Sequence, residues 1–279
     1  MKSSGSEENS FGCPNAASGA MPLEVALHCA TKAGEILLSR INTPKQIVHK
    51  GRADITTDVD TLVESQIVSY LRKEFPDFGI LAEESHRLEG ESEFTWIVDP
   101  LDGTRNYASG VPHFGIVIAL AKKDEVILGI TYDPVRKEVF AARKETGATL
   151  NGHSISVSDN KAMRDCIIGF DMGYSDEMAL KAIKLIGDIW PGMQAIRVMG
   201  SAALGLAYVA CGRIDIYFHH HLFPWDLASG LLLVKEAGGI VTDRDGLEAS
   251  ISKMNVIATN QVLHREFSDA IKGSEWQKS

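Results

Sequence analysis

The sequence predicts a layered α/β fold, and three features of the 279-residue chain support this class. Apolar residues recur at helical spacing before residue 75, and short β-type runs follow between residues 94 and 150. From residue 167 onward, candidate strands and helices alternate. Because 44% of the residues are hydrophobic, the chain can bury a large core between such layers.

A polar segment and two helices open the chain. Residues 1–21 are rich in Ser, Gly, Glu and Asn without periodicity, which predicts a disordered tail. A helix with one apolar face begins after Pro22 and breaks near Pro44. Residues 60–75 predict a second amphipathic helix, which Pro76 ends.

Short β-type runs in the middle of the chain predict an antiparallel meander, because turn signals such as Asp124-Glu125 and Asp133-Pro134 separate them. The predicted strands are residues 96–98, 114–121, 126–132, 139–143 and 148–150.

The second half of the chain predicts alternating elements. The predicted strands are residues 167–170, 196–198, 214–218, 240–241 and 256–258, and the predicted helices are residues 175–189, 201–211, 226–237 and 260–271. Gly238-Gly239 marks the end of one helix, since glycine commonly follows a helix C-terminus.

Charge and cysteine usage limit the function classes. The formal net charge of −9 argues against nucleic-acid binding, which needs clustered Lys and Arg. A phosphate substrate is compatible with this charge, because bound cations can supply positive charge locally. Four scattered cysteines without metal-ligand spacing predict free thiols in a reducing cytoplasm. We expect no membrane span and no secretion signal, since the chain lacks a run of 18 apolar residues and an apolar N-terminal core.

The most informative segment is Asp99-Pro-Leu-Asp102-Gly103-Thr104, which follows the apolar run Trp96-Ile97-Val98. A strand that ends in this way can direct two carboxylates and a row of free backbone N–H groups to one point. Such a layout can hold hard cations and a phosphate together.

Three further acidic clusters each have an ordinary alternative. Residues 54–60 (DITTDVD) also fit a solvated turn with a helix N-cap, and Glu83-Glu84-Ser85 also fits an exposed surface. Asp226, within Trp225-Asp-Leu-Ala-Ser-Gly230, also fits the N-cap of the helix that follows. Each cluster lies where a predicted element begins or ends, so the four can converge in one cleft.

Converging carboxylates imply bound cations. Like charges raise one another's pKa, so several carboxylates in one cleft cannot all stay ionised without cations. Ligands that are all oxygen select Mg²⁺, Mn²⁺ or Ca²⁺ over Zn²⁺, and Mg²⁺ is the commonest choice beside a substrate phosphate. No motif for a covalent Cys, Ser or His nucleophile is evident, so metal-activated water is the expected nucleophile.

The chain resembles the inositol monophosphatase family of Mg²⁺-dependent, lithium-sensitive phosphatases. The matching blocks, in the family's order, are residues 54–60, 83–85, 99–104, 147–152, 200–203, 225–230 and 236–239. We assign residues 22–272 to one phosphatase domain on this basis. The resemblance implies an αβαβα five-layer sandwich and a homodimer.

The resemblance also implies two or three Mg²⁺ ions and their ligands. Glu83, Asp99 and the backbone carbonyl of Leu101 would hold the first ion. Asp99, Asp102 and Asp226 would hold the second, and Glu83 would share a weaker third ion.

Catalytic and substrate contacts are implied in the same way. Thr104 and Asp60 would form a hydrogen-bonded pair that orients and activates the attacking water, with Glu83 as a third catalytic residue. The N–H groups of Gly103 and Thr104 would bind phosphate oxygens at a helix start. The implied substrate-binding set is Gly103, Thr104, Gly200, Ser201, Ala202, His219 and Asp226.

His219 departs from the family pattern. Members that recognise inositol carry a glutamate seven residues before the aspartate of the Trp-Asp motif, and that position here is His219 of His219-His220-His221. A carboxylate accepts several hydroxyl protons, whereas a neutral histidine accepts one at most, so His219 is expected to influence substrate choice. Adjacent residues of an extended segment point to alternate faces, so we do not expect the three histidines to form a metal site.

Two classes of function follow from the sequence. The leading one is Mg²⁺-dependent hydrolysis of a small phosphate monoester, with inositol monophosphate first. Histidinol phosphate, fructose 1,6-bisphosphate and 3′-phosphoadenosine phosphates are alternatives within this class. The other class is a non-catalytic metal-binding or phosphate-binding regulatory protein on the same fold. The intact set of candidate ligands favours catalysis.

Overall fold

Two β-sheets alternate with three layers of helices in the computed structural model, which describes residues 12–51 and 54–278. The helices are α1 (Pro22–Arg40), α2 (Asp58–Glu74), α3 (Thr104–Ala108), α4 (Asp176–Ile189), α5 (Ala202–Ala210), α6 (Pro224–Glu236) and α7 (Gln261–Ile271). The strands are β1 (Ile47–His49), β2 (Ile55–Thr57), β3 (Gly79–Ala82), β4 (His86–Leu88), β5 (Phe94–Asp102), β6 (Gly115–Lys122), β7 (Glu125–Asp133), β8 (Glu138–Arg143), β9 (Gly147–Leu150), β10 (His153–Ser154), β11 (Ile167–Phe170), β12 (Ala195–Arg197), β13 (Ile216–His219), β14 (Ile240–Thr242) and β15 (Val256–Thr259). No helix within the described ranges is long and apolar enough to cross a membrane.

At three helix starts a side chain accepts hydrogen bonds from the free backbone N–H groups of the first turn, and at two others a proline removes one such group. The side chains of Thr57, Ser201 and Asn260 accept hydrogen bonds from the first turns of α2, α5 and α7. Helices α1 and α6 begin with Pro22 and Pro224, which have no N–H to satisfy. Three of these starts, those of α2, α5 and α6, carry residues of the candidate site.

The larger sheet contains the predicted meander. Its strand order is β10-β9-β8-β7-β6-β5-β3-β4, and all neighbours are antiparallel except β3 and β5. The smaller sheet has the order β12-β11-β13-β15-β14, with β11 parallel to both of its neighbours. Strands β1 and β2 form a separate antiparallel hairpin.

Apolar faces decide how the layers stack. Helices α1 and α2 cover one face of the larger sheet, where Leu37 packs in one cluster with Trp96. Helices α5 and α6 contact both sheets and lie between them. Helices α4 and α7 cover the far face of the smaller sheet, where Leu185 and Phe267 share a cluster with Phe218. The layer order confirms the αβαβα sandwich.

Small residues let α5 and α6 pack closely between the sheets. A Cβ atom at Gly129 of β7 would lie 2.8 Å from the Cα of Ser229 of α6, and one at Gly230 would clash with Leu206 of α5. Every residue of α5 is buried, as expected for a helix that protein surrounds. This packing fixes α6, whose first turn carries Asp226, against the larger sheet.

Some boundaries and short strands differ from the sequence predictions. All three residues of β1 are exposed, so this strand shows no alternation from which it could be predicted. Strand β5 continues to Asp102 instead of ending at Val98, because its pairing with β6 resumes beyond an irregularity. Strand β12 ends at Arg197, before Val198.

The prediction of a disordered tail over residues 1–21 is wrong for residues 12–21. Cys13 and Ala16 are buried in the core beside α1 and α2. The N–H groups of Ala17 and Ser18 donate to the backbone and side-chain oxygens of Glu74, at 2.8 Å and 3.1 Å. A few small apolar residues within a polar composition are enough to anchor this segment. The remainder of the predicted tail, residues 1–11, lies outside the described residues.

Candidate active site

An irregularity in β5 brings Asp99 and Asp102 together. The register between β5 and β6 shifts between these two residues. Residues three apart in a regular strand point to opposite faces, but here carboxylate oxygens of Asp99, Asp102 and Asp226 lie within 4.8 Å of one another. The Oδ1 atom of Asp99 accepts a hydrogen bond of 2.9 Å from the N–H of Leu101. The irregular strand end therefore presents both aspartates to one point.

The start of α6 supplies the third aspartate. Helix α6 begins at Pro224 after the N-cap residue Phe223, so Asp226 occupies the third helical position and not the N-cap. Its Oδ2 atom accepts a hydrogen bond of 2.7 Å from the N–H of Phe223. The N-cap alternative for Asp226 is therefore wrong, although the carboxylate still lies in the first turn, where the helix dipole favours negative charge.

Asp102 is joined to the start of α5. Its Oδ2 atom accepts a hydrogen bond from the hydroxyl of Ser201 and another, of 3.0 Å, from the N–H of Ala203. Burial raises the pKa of Asp102 to about 6, and the hydrogen bonds from Ser201 and Ala203 oppose that rise. Asp102 thus connects the larger sheet to the helix layer between the sheets.

Glu83 follows β3 in a turn that the buried Glu64 of α2 holds. The two carboxylate oxygens of Glu64 accept hydrogen bonds from the N–H groups of Glu84 and Ser85, both at 2.7 Å. The Nζ atom of Lys50 lies 3.6 Å from Glu83 and 2.7 Å from Glu84. The side chains of Glu83 and Glu84 are only 15% and 11% exposed, so the exposed-surface alternative is wrong. The one sign of Glu64 in the sequence is that a carboxylate occupies a position on the apolar face of a helix.

The electrostatics of the group fit divalent cations. Burial raises the pKa of Asp99 well above its usual range, and the charges of Glu83, Asp102 and Asp226 add to the rise. Burial likewise raises the pKa of Asp226 to about 8, and the charge of Asp102 adds to it. In the part of the chain that the structure describes, Lys50 forms an ion pair with Glu83, and no ion pair involves the three aspartates. Oxygen ligands in such a group match Mg²⁺, which would stabilise their ionised forms.

Thr104, the first residue of α3, contacts Asp60 of α2. The Oγ1 atom of Thr104 lies 3.0 Å from Oδ1 of Asp60 and 3.0 Å from the carbonyl oxygen of Leu101. The N–H and the hydroxyl of Thr57 both donate to Oδ2 of Asp60. Asp60 is fully buried, so the solvated-turn alternative is wrong at this residue. Burial raises its pKa to about 6, and the three hydrogen bonds oppose that rise.

Two glycines allow backbones to approach beside Thr104. Gly103 and Gly200 have φ values of 92° and 74°, which favour glycine. A Cβ atom on Gly103 would lie 3.1 Å from the carbonyl oxygen of Gly200. The Nδ2 atom of Asn106 donates to the carbonyl oxygens of Met199 at 2.7 Å and His113 at 2.8 Å. These contacts hold the loop before α5 against the start of α3.

A cleft of about 320 Å³ opens over these residues. The site residues predicted from the sequence that line it are Glu83, Asp99, Leu101, Asp102, Gly103, Thr104, Gly200, Ser201, Ala202, His219 and Asp226. Asp60 lies behind Thr104 and reaches the cleft only through the hydroxyl of that residue.

His219 lines the cleft as a neutral ring. Burial lowers its pKa well below the usual value, and the neighbouring His220 lowers it further. The Nδ1 atom of His219 accepts a hydrogen bond of 3.1 Å from the N–H of His221, so the proton of the neutral ring is on Nε2. The ring therefore offers one N–H donor and no free acceptor.

Asp171 and Tyr174 are among the lining residues that the sequence predictions did not name. Asp171, directly after β11, accepts hydrogen bonds from the N–H groups of Met199 at 2.9 Å and Gly200 at 2.6 Å, and from the hydroxyl of Tyr217 at 2.9 Å. Tyr174, three residues later, is 44% exposed. Asp171 shares with Asp99 the pattern of an aspartate directly after an apolar run, which is a signal that could have identified it.

Known proteins resemble the chain along most of its length. The profile of the inositol monophosphatase family matches residues 22–275. A Nus factor SuhB of Xylella fastidiosa is 40% identical over 232 residues, which cover 81% of this chain and 83% of the relative. A fructose-1,6-bisphosphatase/inositol-1-monophosphatase of Thermotoga maritima is 38% identical over 245 residues, which cover 88% and 93%. The crystal structure of the extragenic suppressor protein SuhB from Bartonella henselae superposes with a TM-score of 0.87 at 36% identity, covering 90% of this chain and 98% of the other.

Proposed function

Because the chain belongs to the inositol monophosphatase family, we propose that it hydrolyses a small phosphate monoester with the help of Mg²⁺. The observation that carries the proposal is the buried group of Asp99, Asp102 and Asp226 beside the Thr104–Asp60 pair. Burying so many carboxylates costs free energy unless cations bind them.

The donor set determines where ions would bind. Asp99, Asp102 and Asp226 would hold one Mg²⁺ ion, and Glu83, Asp99 and the Leu101 carbonyl would hold another, with a third, weaker ion at Glu83. The Leu101 carbonyl oxygen lies 3.0 Å from Oγ1 of Thr104, whose single proton is donated to Asp60, so the carbonyl keeps its lone pairs for an ion. Bound Mg²⁺ supplies positive charge that polarises the phosphate and offsets charge on the leaving oxygen.

The Thr104–Asp60 pair is suited to take a proton from the attacking water. Ionised Asp60 accepts the O–H of Thr104, which leaves the lone pairs of Oγ1 free to accept a hydrogen bond from that water. With a pKa of about 6, Asp60 is mostly ionised at pH 7 and still basic enough to receive a proton. The N–H groups of Gly103 and Thr104 would hold the phosphate oxygens, and Asp226 would assist protonation of the leaving alkoxide.

Inositol monophosphate is the substrate that we propose first. The T. maritima relative carries this activity in its name, together with action on fructose 1,6-bisphosphate. Histidinol phosphate and 3′-phosphoadenosine phosphates are further candidates, and a cleft of about 320 Å³ suits small ligands. We also propose that the protein is a cytoplasmic homodimer that binds neither nucleic acid nor membranes, as the sequence predicts.

A non-catalytic regulatory role on the same fold is the second candidate. The similarity to a protein named as a Nus factor favours it, because that name states no phosphatase activity. Phosphate release from inositol 1-phosphate, measured with Mg²⁺ and with a chelator, separates the two candidates. We expect release only with Mg²⁺. Absence of release from every monoester above, together with no Mg²⁺-induced rise in melting temperature, would favour the regulatory role.

Lithium is expected to inhibit hydrolysis at millimolar or lower concentration, as the family resemblance implies. Li⁺ can occupy a weak Mg²⁺ position beside bound phosphate, but its single charge cannot replace that of Mg²⁺. The measurement is the initial rate against LiCl concentration, with NaCl at matched ionic strength as the control. Equal inhibition by both salts would indicate charge screening and not occupation of a site.

His219→Glu is expected to raise kcat/KM for inositol 1-phosphate relative to other phosphate esters. The neutral ring offers one donor, whereas a glutamate accepts several hydroxyl protons, and an unmatched buried polar group costs about 1–3 kcal/mol. Mg²⁺ half-saturation should barely change, because His219 is not a proposed ligand. An unchanged ratio of specificity constants across a substrate panel would show that the alcohol is recognised elsewhere, in the first instance by residues 200–202.

A further inference from the structure

The side of the cleft that the second half of the chain builds is largely apolar. Met172, Tyr174, Val198 and Leu222 line this side, and we call these four residues the apolar wall. Tyr174 and Val198 are 44% and 50% exposed, which is high for large apolar side chains in a cleft. Surface of this kind inside a concave site is available to an apolar part of a ligand.

Contacts of two preceding residues fix the position of Tyr174. Asp171 accepts hydrogen bonds of 2.9 Å and 2.6 Å from the backbone N–H groups of Met199 and Gly200. Next to Tyr174, Gly173 has a φ of 56°, and a Cβ atom there would lie 2.7 Å from Nε2 of the buried His220. The loop therefore packs directly on a buried ring, and the position of Tyr174 follows from packing that leaves the loop little freedom.

Tyr174 belongs to a row of three aromatic rings. The ring centroids of Tyr174 and Phe223 lie 6.3 Å apart with the planes inclined by 41°, and those of Phe223 and Trp225 lie 4.9 Å apart at 15°. Trp225 immediately precedes Asp226, one of the candidate metal ligands. Phe223 and Trp225 are not among the residues that line the cleft, so Tyr174 is the ring of this row that a ligand in the cleft would meet.

Two polar side chains near the apolar wall, Asp171 and Ser201, are already engaged by protein partners. The carboxylate of Asp171 accepts three hydrogen bonds, and Ser201 donates to Asp102 while it accepts from the N–H of Leu204. His219 offers a single N–H donor. A polyol with several hydroxyl groups would find few free partners on this side, and each unmatched hydroxyl would weaken binding.

We propose that the apolar wall is a subsite for an aromatic ring on the alcohol part of the substrate, with Tyr174 as its principal contact. The inference rests on the proposed phosphate-monoester hydrolysis and narrows its substrate class. The subsite adds affinity for monoesters of alcohols that carry an aromatic ring, such as arylalkyl or nucleoside phosphates, alongside hydrolysis of inositol monophosphate.

The test compares kcat/KM for benzyl phosphate and inositol 1-phosphate, because both leave as alkoxides and differ in the ring. Tyr174→Ala removes the stacking surface and should lower the benzyl-to-inositol ratio about tenfold, mainly through KM. Tyr174→Phe keeps the ring and should keep the ratio. Trp190→Ala removes an aromatic side chain that is 50% exposed and is not among the residues that line the cleft, and it should leave the ratio unchanged.

A ratio that Tyr174→Ala leaves unchanged would overturn the subsite. If the wild-type protein hydrolyses neither ester, the proposed function fails, and binding then tests the subsite separately. Benzylphosphonate and methylphosphonate, which cannot be hydrolysed at the C–P bond, are titrated against both proteins by calorimetry. The wild-type protein should bind the benzyl compound more tightly, and Tyr174→Ala should remove about tenfold of that preference. Equal preference in both proteins would refute the role of Tyr174 whatever the activity.

Discussion

Asp99→Asn is expected to eliminate measurable phosphate release while the fold persists. Asp99 is the residue proposed to contact both principal metal ions, so loss of its charge weakens both positions at once. Burial raises the pKa of Asp99 and the charges of neighbouring carboxylates add to the rise, so an ionised Asp99 costs free energy in the metal-free protein and the amide removes this cost. The melting temperature without Mg²⁺ should therefore hold or rise, and the increase that Mg²⁺ produces should disappear.

The measurement is a pair of melting temperatures, with and without Mg²⁺, beside the initial rate. Asp215→Asn is a matched control, since Asp215 is buried and accepts hydrogen bonds from the N–H of Ile167 and the Nδ2 of Asn160, but does not line the cleft. The control should melt at a lower temperature in both conditions and keep its response to Mg²⁺. Turnover of Asp99→Asn near that of the wild type would contradict the proposal that this residue contacts two ions.

Thr104→Ala is expected to reduce kcat by roughly 10²- to 10⁴-fold, the usual worth of a group in general base catalysis. The hydroxyl connects the buried Asp60 to the cleft through a hydrogen bond of 3.0 Å, so its loss isolates the carboxylate. Mg²⁺ half-saturation should change little, because the side chain of Thr104 is not a proposed ligand. Rate against substrate and rate against Mg²⁺ concentration separate the two effects.

Thr104→Ser is the matched control, because it keeps the hydroxyl and should retain most of the rate. A second contact of Thr104 makes the Mg²⁺ measurement decisive. Its Oγ1 atom also lies 3.0 Å from the carbonyl oxygen of Leu101, a candidate ligand. If Mg²⁺ half-saturation rises in Thr104→Ala as far as the rate falls, Thr104 acts by positioning that carbonyl and not by activating water.

Elements with one buried face could be predicted from the sequence, because their apolar residues recur with the period of the helix or strand. In α4 the buried residues Ala182, Leu185 and Ile186 recur at helical spacing, and the meander strands are separated by turn residues. Strand β1 has no such periodic pattern, because none of its residues is buried. The acidic motifs could be recognised because they lie at the ends of these elements.

The contacts that position the acids could not be predicted from local pattern. Glu64 binds the turn after Glu83 across 20 residues of chain, and Asp171 binds Met199 across 28. The register shift that turns Asp99 and Asp102 to one side depends on the partner strand β6 and not on β5 alone. Each of these features arises from pairing between distant segments, which one sequence without its fold does not reveal.

The cleft is assembled from two stretches of chain with different tasks, and this division affects how new specificities can arise. Apart from Asp226, the proposed metal ligands and Thr104 come from the first half of the chain, whereas the apolar wall comes from residues beyond 170. Substitutions at Met172, Tyr174 or Val198 can therefore remodel recognition of the alcohol without disturbing the groups that act on phosphate. These positions could be randomised together in a library while the groups that act on phosphate stay unchanged. Selection for hydrolysis of a new ester would then need few changes, all within the later half of the gene.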